Sequence, residues 1–311
     1  MPMPISPTGA VAFNYRNSLI PPLKRIFIYN YSSYHHHHRR RRFLPLLRKT
    51  GHPKNLLYQF SILSPFPKFN CLFTGNSIFF RMERFWTGSS INKNKAMVEH
   101  LQHYGVISSK KVVEVMETID RALFVPERTQ AYVDSPMPIG YNATISAPHM
   151  HATCLQLLEE HLKPGMHALD VGSGTGYLTA CLAIMVGPQG RAVGVEHIPE
   201  LVTSSIKNIE KSAAAPLLQE GSLSVHVGDG REGWPEFAPY DAIHVGAAAP
   251  EIPQALIDQL KPGGRMVIPV GNIFQDLKVI DKAQDGSISV RSETSVRYVP
   301  LTSRDAQLRD N

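Results

Sequence analysis

The chain has 311 residues, 43% of them hydrophobic, enough for one large domain or two small ones with a sizeable core. Its net charge of +6 is unevenly placed: residues 1–81 hold twelve Lys and Arg and no Asp or Glu, leaving 20 basic against 26 acidic residues in the remainder. A mildly acidic core argues against a nucleic-acid substrate, which needs a basic footprint; no apolar run reaches the roughly 18 residues of a membrane helix; and Cys71, Cys154 and Cys181, in unlike contexts, indicate neither a disulfide framework nor a metal site.

Residues 1–81 are rich in Pro, Ser, Asn, Tyr and Phe without sustained period, and read as a disordered basic leader. His35–His38 is low-complexity sequence with no partner acid or cysteine beside it. Arg39–Arg42 with Arg48 and Lys49 forms a cluster of the nuclear-import or nucleic-acid type. The absence of acids also fits an organellar transit peptide, and a solvated tail without function is the third reading. Met82 opens a change of composition, Glu83 being the first acidic residue, so the folded domain is placed at 82–311.

Met97, Val98, Leu101 and Tyr104 then fall on one helical face, with Gly105 as a left-handed stop. Ser108 or Ser109 caps a second helix that turns Val112, Val113, Val115, Met116 and Ile119 inward. Two short helices ahead of a sheet predict a lid or wall for a substrate cleft. Pro126, Pro136 and Pro138 keep the stretch from Leu123 to Pro138 extended or turning. A helix follows from His149, with Pro148 in its first turn and Cys154, Leu155 and Leu158 inward, closing before Pro164-Gly165. Ser146 precedes it in the place of an N-cap.

From Ala168 to Tyr177 the chain reads Ala-Leu-Asp-Val-Gly-Ser-Gly-Thr-Gly-Tyr, a strand, a tight loop and a helix start. Gly172, Gly174 and Gly176 lack a Cβ, so a ligand can lie against the main chain, facing the free N–H groups of the helix N-terminus. The third glycine comes one residue early for the dinucleotide fingerprint G-x-G-x-x-G, which argues against a nicotinamide or flavin. A turn that merely needs glycine is the plain alternative. Glu196, however, ends a second apolar run twenty residues after Gly176, where βαβ units keep the acid that holds ribose hydroxyls. Asp229 and Gly230 end a third. Three successive strands delivering an acid at their C-terminal edge define a ligand site.

Strands are expected near 166–171, 191–196, 223–227, 240–246 and 264–270, with helices near 176–186, 199–211 and 253–260 between them. That alternation predicts an α/β fold with a doubly wound, mostly parallel sheet. Beyond Gly271, strands at 277–282, 288–292 and 295–301 predict an antiparallel edge. The three acids and the glycine loop together resemble a class I S-adenosylmethionine-dependent methyltransferase, which implies a Rossmann-like seven-stranded sheet. The segments Tyr132-Val-Asp-Ser-Pro136, Ala143-Thr-Ile-Ser-Ala-Pro-His-Met-His151, Asp241-Ala-Ile-His-Val-Gly-Ala-Ala-Ala-Pro250, Leu260-Lys-Pro-Gly-Gly264 and Val299-Pro-Leu-Thr302 resemble the protein-L-isoaspartate O-methyltransferase family over about Glu83 to Thr302.

The resemblance implies methyl transfer from S-adenosylmethionine, leaving S-adenosylhomocysteine, to the free carboxylate of isoaspartyl residues in damaged proteins and peptides. It makes Ser146 the candidate active-site residue, against its reading as a helix cap. It places Ala143, Thr144, Ile145, Ser146 and His151 beside the cofactor. Asp170, Gly172, Ser173, Gly174 and Gly176 would face its methionine end, Glu196 its ribose, Asp229 and Gly230 its adenine, and Thr302 would reach in from the C-terminal edge. The family often has Asp where this chain has Glu196. A monomer without membrane association is expected, with nucleic acid at most in weak contact with the leader. Methylation of a nucleic acid or small metabolite on the same fold is the alternative, but no Asp-Pro-Pro-Tyr or Asn-Pro-Pro-Tyr motif is present. A non-catalytic nuclear binding protein working through the leader is a third reading, opposed by the intact acids.

Overall fold

The computed structural model describes residues 90–309. The leader, its histidine and arginine runs, Cys71 and the boundary at Met82 lie outside the described residues. Helices α1 (Ser90–His103) and α2 (Lys110–Thr118) come first. Ser109 caps α2 by accepting from Val112 N, and Val112, Val115, Met116 and Ile119 are buried as expected, with Val113 half-buried. Tyr104 departs from its predicted face. It follows the last residue of α1 and is 58% exposed, because the chain turns there before a further helical turn can carry it inward.

A short antiparallel hairpin follows, β1 (Met137–Gly140) and β2 (Ala143–Ile145), which the proline-rich reading did not anticipate. Its turn residues, Tyr141 and Asn142, both adopt positive φ. Next come α3 (Pro148–Leu158), β3 (His167–Val171), α4 (Tyr177–Val186), β4 (Arg191–Glu196), α5 (Pro199–Glu210), the unpredicted α6 (Ala215–Gln219), β5 (Leu223–Val227), β6 (Tyr240–Val245), α7 (Gln254–Gln259), β7 (Leu260–Val270), β8 (Gln275–Lys282), β9 (Ile288–Val296) and α8 (Arg304–Arg309). Strand β7 begins at Leu260, not 264, and β9 covers continuously most of what was expected as two strands. Residues 297–302 instead form a strap bonded to the loop after β6: Ala248 N donates to Val299 O at 2.8 Å and Leu301 N to Ala248 O at 2.8 Å.

The seven strands lie in the order β5-β4-β3-β6-β7-β8-β9, parallel from β5 through β7 and antiparallel beyond. The two-residue period of a strand sorts the core. Ala168, Ala192, Ala242 and Val267 face the layer containing α1–α6; Leu169, Val193, Ile243 and Met266 face the layer containing α7. Parallel strands covered on both faces need near-continuous apolar sequence, which is why β3, β4 and β6 read as they do. All C-terminal ends of the parallel strands meet at one edge, and the site lies there. Among the described residues, no helix is long and apolar enough to cross a membrane.

Candidate active site

The glycine loop leaves β3 and enters α4, which starts at Gly176 in left-handed conformation with no side-chain cap. The pocket above it is lined by Ala143, Thr144, Gly172, Gly174, Glu196, Gly230 and Thr302, all predicted from sequence. Around them stand Ile139, Val195, His197, Gly246, Ala247, Val299, Pro300, Leu301 and Gln307. These were missed. His197 simply follows Glu196, and Val299–Leu301 carry no titratable group to mark them. Gln307 is placed by tertiary bonds alone: its Nε2 donates to Tyr141 O at 2.8 Å, its carbonyl accepts from Asn142 Nδ2 at 2.8 Å, and its Oε1 lies 2.9 Å from His197 Nε2.

Glu196 is 6% exposed and anchors the loop. Its Oε2 accepts from Gly174 N at 3.0 Å and its Oε1 from Ile198 N at 3.0 Å. Each oxygen retains a lone pair, the equipment needed to accept from a diol. Space at the strand ends is tight: a Cβ on Gly230 would stand 2.6 Å from Val171 Cγ1. Beside this cradle Ser173 Oγ is buried with no partner among the described residues. Backbone close enough to touch a ligand, an acid for hydroxyl groups, apolar walls and an orphaned hydroxyl fit an S-adenosylmethionine molecule.

Ile145, Ser146, His151, Asp170 and Asp229 stand outside this lining, and Ile145, the last residue of β2, is buried in the hydrophobic core because the strand turns it away from the pocket. Asp170 is 1% exposed and faces the α3–α4 layer, not the pocket. Its Oδ2 accepts from Thr179 at 2.6 Å, and its Oδ1 is 2.8 Å from His244 Nδ1. Burial by itself would lower the His244 pKa, but the bonds to Asp170 and Cys154 outweigh it and hold it up at about 10. Asp229 sits on the rim, clasped by Arg231, whose Nε lies 2.9 Å and 3.1 Å from its two oxygens; that clasp lowers the carboxyl pKa. His151 is buried beneath the acceptor segment, 3.3 Å from Arg121 Nη1, with its ring 4.9 Å from that of Tyr177. Burial, then the Arg121 cation, hold its pKa well below the usual value, so the imidazole is neutral. Arg121 itself is fully buried, donating from Nε to Ala131 O at 2.9 Å.

Ser146 is half-buried and does not cap α3. The N-cap is Ala147, without a side-chain bond, and the N–H of His149 goes to Asp134 Oδ1 at 2.9 Å. An acid twelve residues upstream of Ser146 thus takes over the capping duty. The Ser146 hydroxyl instead faces the phenol of Tyr298, with the Cys154 thiol nearby. Burial first, and then Cys154, raise the Tyr298 pKa well above 10, so it stays protonated. Tyr298 is held at both ends of its peptide unit by Gln275, with Tyr298 N to Gln275 Oε1 at 2.6 Å and Gln275 Nε2 to Tyr298 O at 3.1 Å. Asp170 and His244, bonded at 2.8 Å, thus share a neighbourhood with Cys154, which also lies near Tyr298 and Ser146.

A family model described as protein-L-isoaspartate(D-aspartate) O-methyltransferase matches residues 92–306. The chain is 76% identical over 228 residues to protein-L-isoaspartate O-methyltransferase 1 of Arabidopsis thaliana, covering 73% of this chain and 99% of that relative. It is 48% identical over 225 residues to the Caenorhabditis elegans protein-L-isoaspartate O-methyltransferase, covering 72% and 98% respectively. A crystal structure described as a protein-L-isoaspartate O-methyltransferase from Plasmodium falciparum in complex with S-adenosyl-L-homocysteine is similar at a TM-score of 0.62 and 34% identity, over 67% of this chain and 98% of that one.

Proposed function

Because the chain belongs to the protein-L-isoaspartate(D-aspartate) O-methyltransferase family, we propose how its own residues carry out methyl transfer to the free carboxylate of L-isoaspartyl residues. The observation that supports the assignment of roles is a shared wall: Ala143 and Thr144, beside Ser146, line the same pocket as Gly172, Gly174 and Glu196.

When bound, S-adenosylmethionine supplies an electrophilic sulfonium methyl and departs as S-adenosylhomocysteine. Glu196 accepts from the ribose hydroxyls, and Gly172, Ser173 and Gly174 present backbone and hydroxyl to the methionine end. Gly176 shapes that loop. Gly230 lets the adenine approach β5, with Asp229 on the rim and Thr302 closing the opposite side. Asp170 acts at one remove, fixing the loop strand through Thr179 and His244. An isoaspartyl carboxylate, of ordinary pKa about 3.5, is already ionised at neutral pH, so no general base is required. The residues' task is orientation, worth several orders of magnitude in rate. Ser146 donates to one carboxylate oxygen and turns the other toward the methyl; Tyr298 fixes the Ser146 rotamer. The apolar surroundings from Ala143 to Pro148 exclude water, which favours a transition state less charged than the separated ions.

The ester so formed has a better leaving group than the free acid. The following backbone nitrogen attacks its carbonyl, methanol leaves, and a succinimide closes; water reopens it partly to the normal aspartyl linkage. No side chain of this protein is needed for that sequence.

The catalytic unit in this reading is the domain from Met82, which the match of 99% of the Arabidopsis relative by 73% of this chain supports. The core alone works as a monomer in the cytoplasm, and the arginine cluster of the leader directs the full chain to the nucleus; a transit role is the second reading. Given labelled donor and an isoaspartyl peptide, the full chain and a chain starting at Met82 should form an alkali-labile methyl ester at equal rates per molecule at any enzyme concentration, with only the full chain nuclear in cells. An alkali-stable methyl product would overturn the chemistry, and an inactive truncation the boundary.

A further inference from the structure

Ile273 and Phe274 are 89% and 91% exposed, the largest exposures among the large apolar side chains of the described residues. They form the tip of the turn between β7 and β8. Strand β7 runs parallel to β6, so this turn rises from the same sheet edge as Gly172, Glu196 and Gly246. The pocket spans the ends of β4, β3 and β6, and the turn stands beyond β6, on the side away from Glu196.

The turn has a built shape. Gly271 has φ +127°, and a Cβ there would stand 2.0 Å from Phe274 O, so only glycine lets the chain fold back this tightly. Gly271 N donates to Ala249 O at 2.9 Å, tying the turn to the loop that holds the strap. The residue after Phe274 is Gln275, whose side chain clamps both ends of Tyr298, and Tyr298 meets Ser146. The apolar tip therefore adjoins the side of the site where the acceptor carboxylate is expected, not the side that holds the ribose.

A free small molecule makes no demand on such a rim. An acceptor residue inside a polypeptide does, because chain on one side of it must cross the edge of the cleft. We propose that Ile273 and Phe274 form an apolar shelf that binds a large apolar side chain flanking the isoaspartyl residue of the acceptor polypeptide. This rests on the isoaspartyl reading above. Because the shelf is a turn tip and not a closed pocket, it favours apolar neighbours without demanding one sequence, which suits an enzyme acting on many damaged proteins.

The test uses the full chain and isoaspartyl peptides that differ only in carrying Leu or Ser at each position within three residues of the isoaspartyl site. For at least one position the wild type should methylate the Leu peptide with a KM lower by about tenfold, the effect of burying most of one aliphatic side chain. Ile273→Ser with Phe274→Ser should abolish that difference while leaving kcat at saturation and the KM for S-adenosylmethionine unchanged. A Leu preference that survives in the double variant, or no preference in the wild type, overturns the shelf. So does a concentration-dependent dimer that the double variant abolishes with peptide preference intact, since the tip would then be a surface for a second copy. Methylation of none of the peptides would instead remove the isoaspartyl reading itself.

Discussion

Asp134 satisfies the N-terminus of α3, which relieves the Ser146 hydroxyl of a capping role. Local preference favours a serine before Ala-Pro at a helix start as a cap, and no spacing rule reveals that an acid in the preceding loop displaces it. Ser146→Ala should therefore lower kcat by at least tenfold with the affinity for S-adenosylmethionine changed less than twofold, measured by steady-state kinetics and calorimetric binding. Tyr298→Phe, which leaves the serine but frees its rotamer, should lower kcat less, again without affecting cofactor affinity. A loss confined to cofactor binding in either variant would reassign the pair to a structural role. The same distinction explains Asp170. An acid at a strand end is legible as a site residue, but which way it points depends on Thr179 and His244, nine and 74 residues away.

At the scale of elements, the loop-to-helix turn fixes how closely α4 and α5 approach. Gly176 has φ +89°, and a Cβ there would stand 2.2 Å from Ser205 Oγ on α5. Gly176→Ala should lower unfolding free energy by about 2–4 kcal/mol, the left-handed penalty plus overpacking. Adding Ser205→Ala should recover only the overpacking part, as read in urea denaturation; full recovery or none would mean the contact is misassigned. This turn was legible, as were the parallel strands, because long apolar runs and glycine spacing are local signals. The β1–β2 hairpin was not, since strands of four and three residues carry no measurable period. The strap at 297–302 reads as a strand because it is apolar, yet its backbone bonds run to Ala248 and to the side chain of Gln275 and form no continuous ladder.

Over the whole molecule, two buried histidines pull in opposite directions with pH. His244 has a raised folded pKa of about 10, so its stabilising contribution is complete below the unfolded value of 6.5 and is lost as pH rises toward 10. His151 has a depressed pKa, so the unfolded chain takes up a proton that the native state refuses as pH falls below 6.5. Thermal unfolding should therefore show greatest stability near pH 6.5. His244→Asn should flatten the decline between about pH 6.5 and 9, where burial keeps the Cys181 thiol and Tyr177 phenol un-ionised in the native state. A decline of unchanged slope in that variant would remove His244 from the account.

An isoaspartyl carboxylate as the acceptor can be checked by methyl transfer from labelled S-adenosylmethionine to two peptides identical except for an isoaspartyl or a normal aspartyl linkage. Label should enter the isoaspartyl peptide alone. Equal labelling of the two, or labelling of neither, would contradict it.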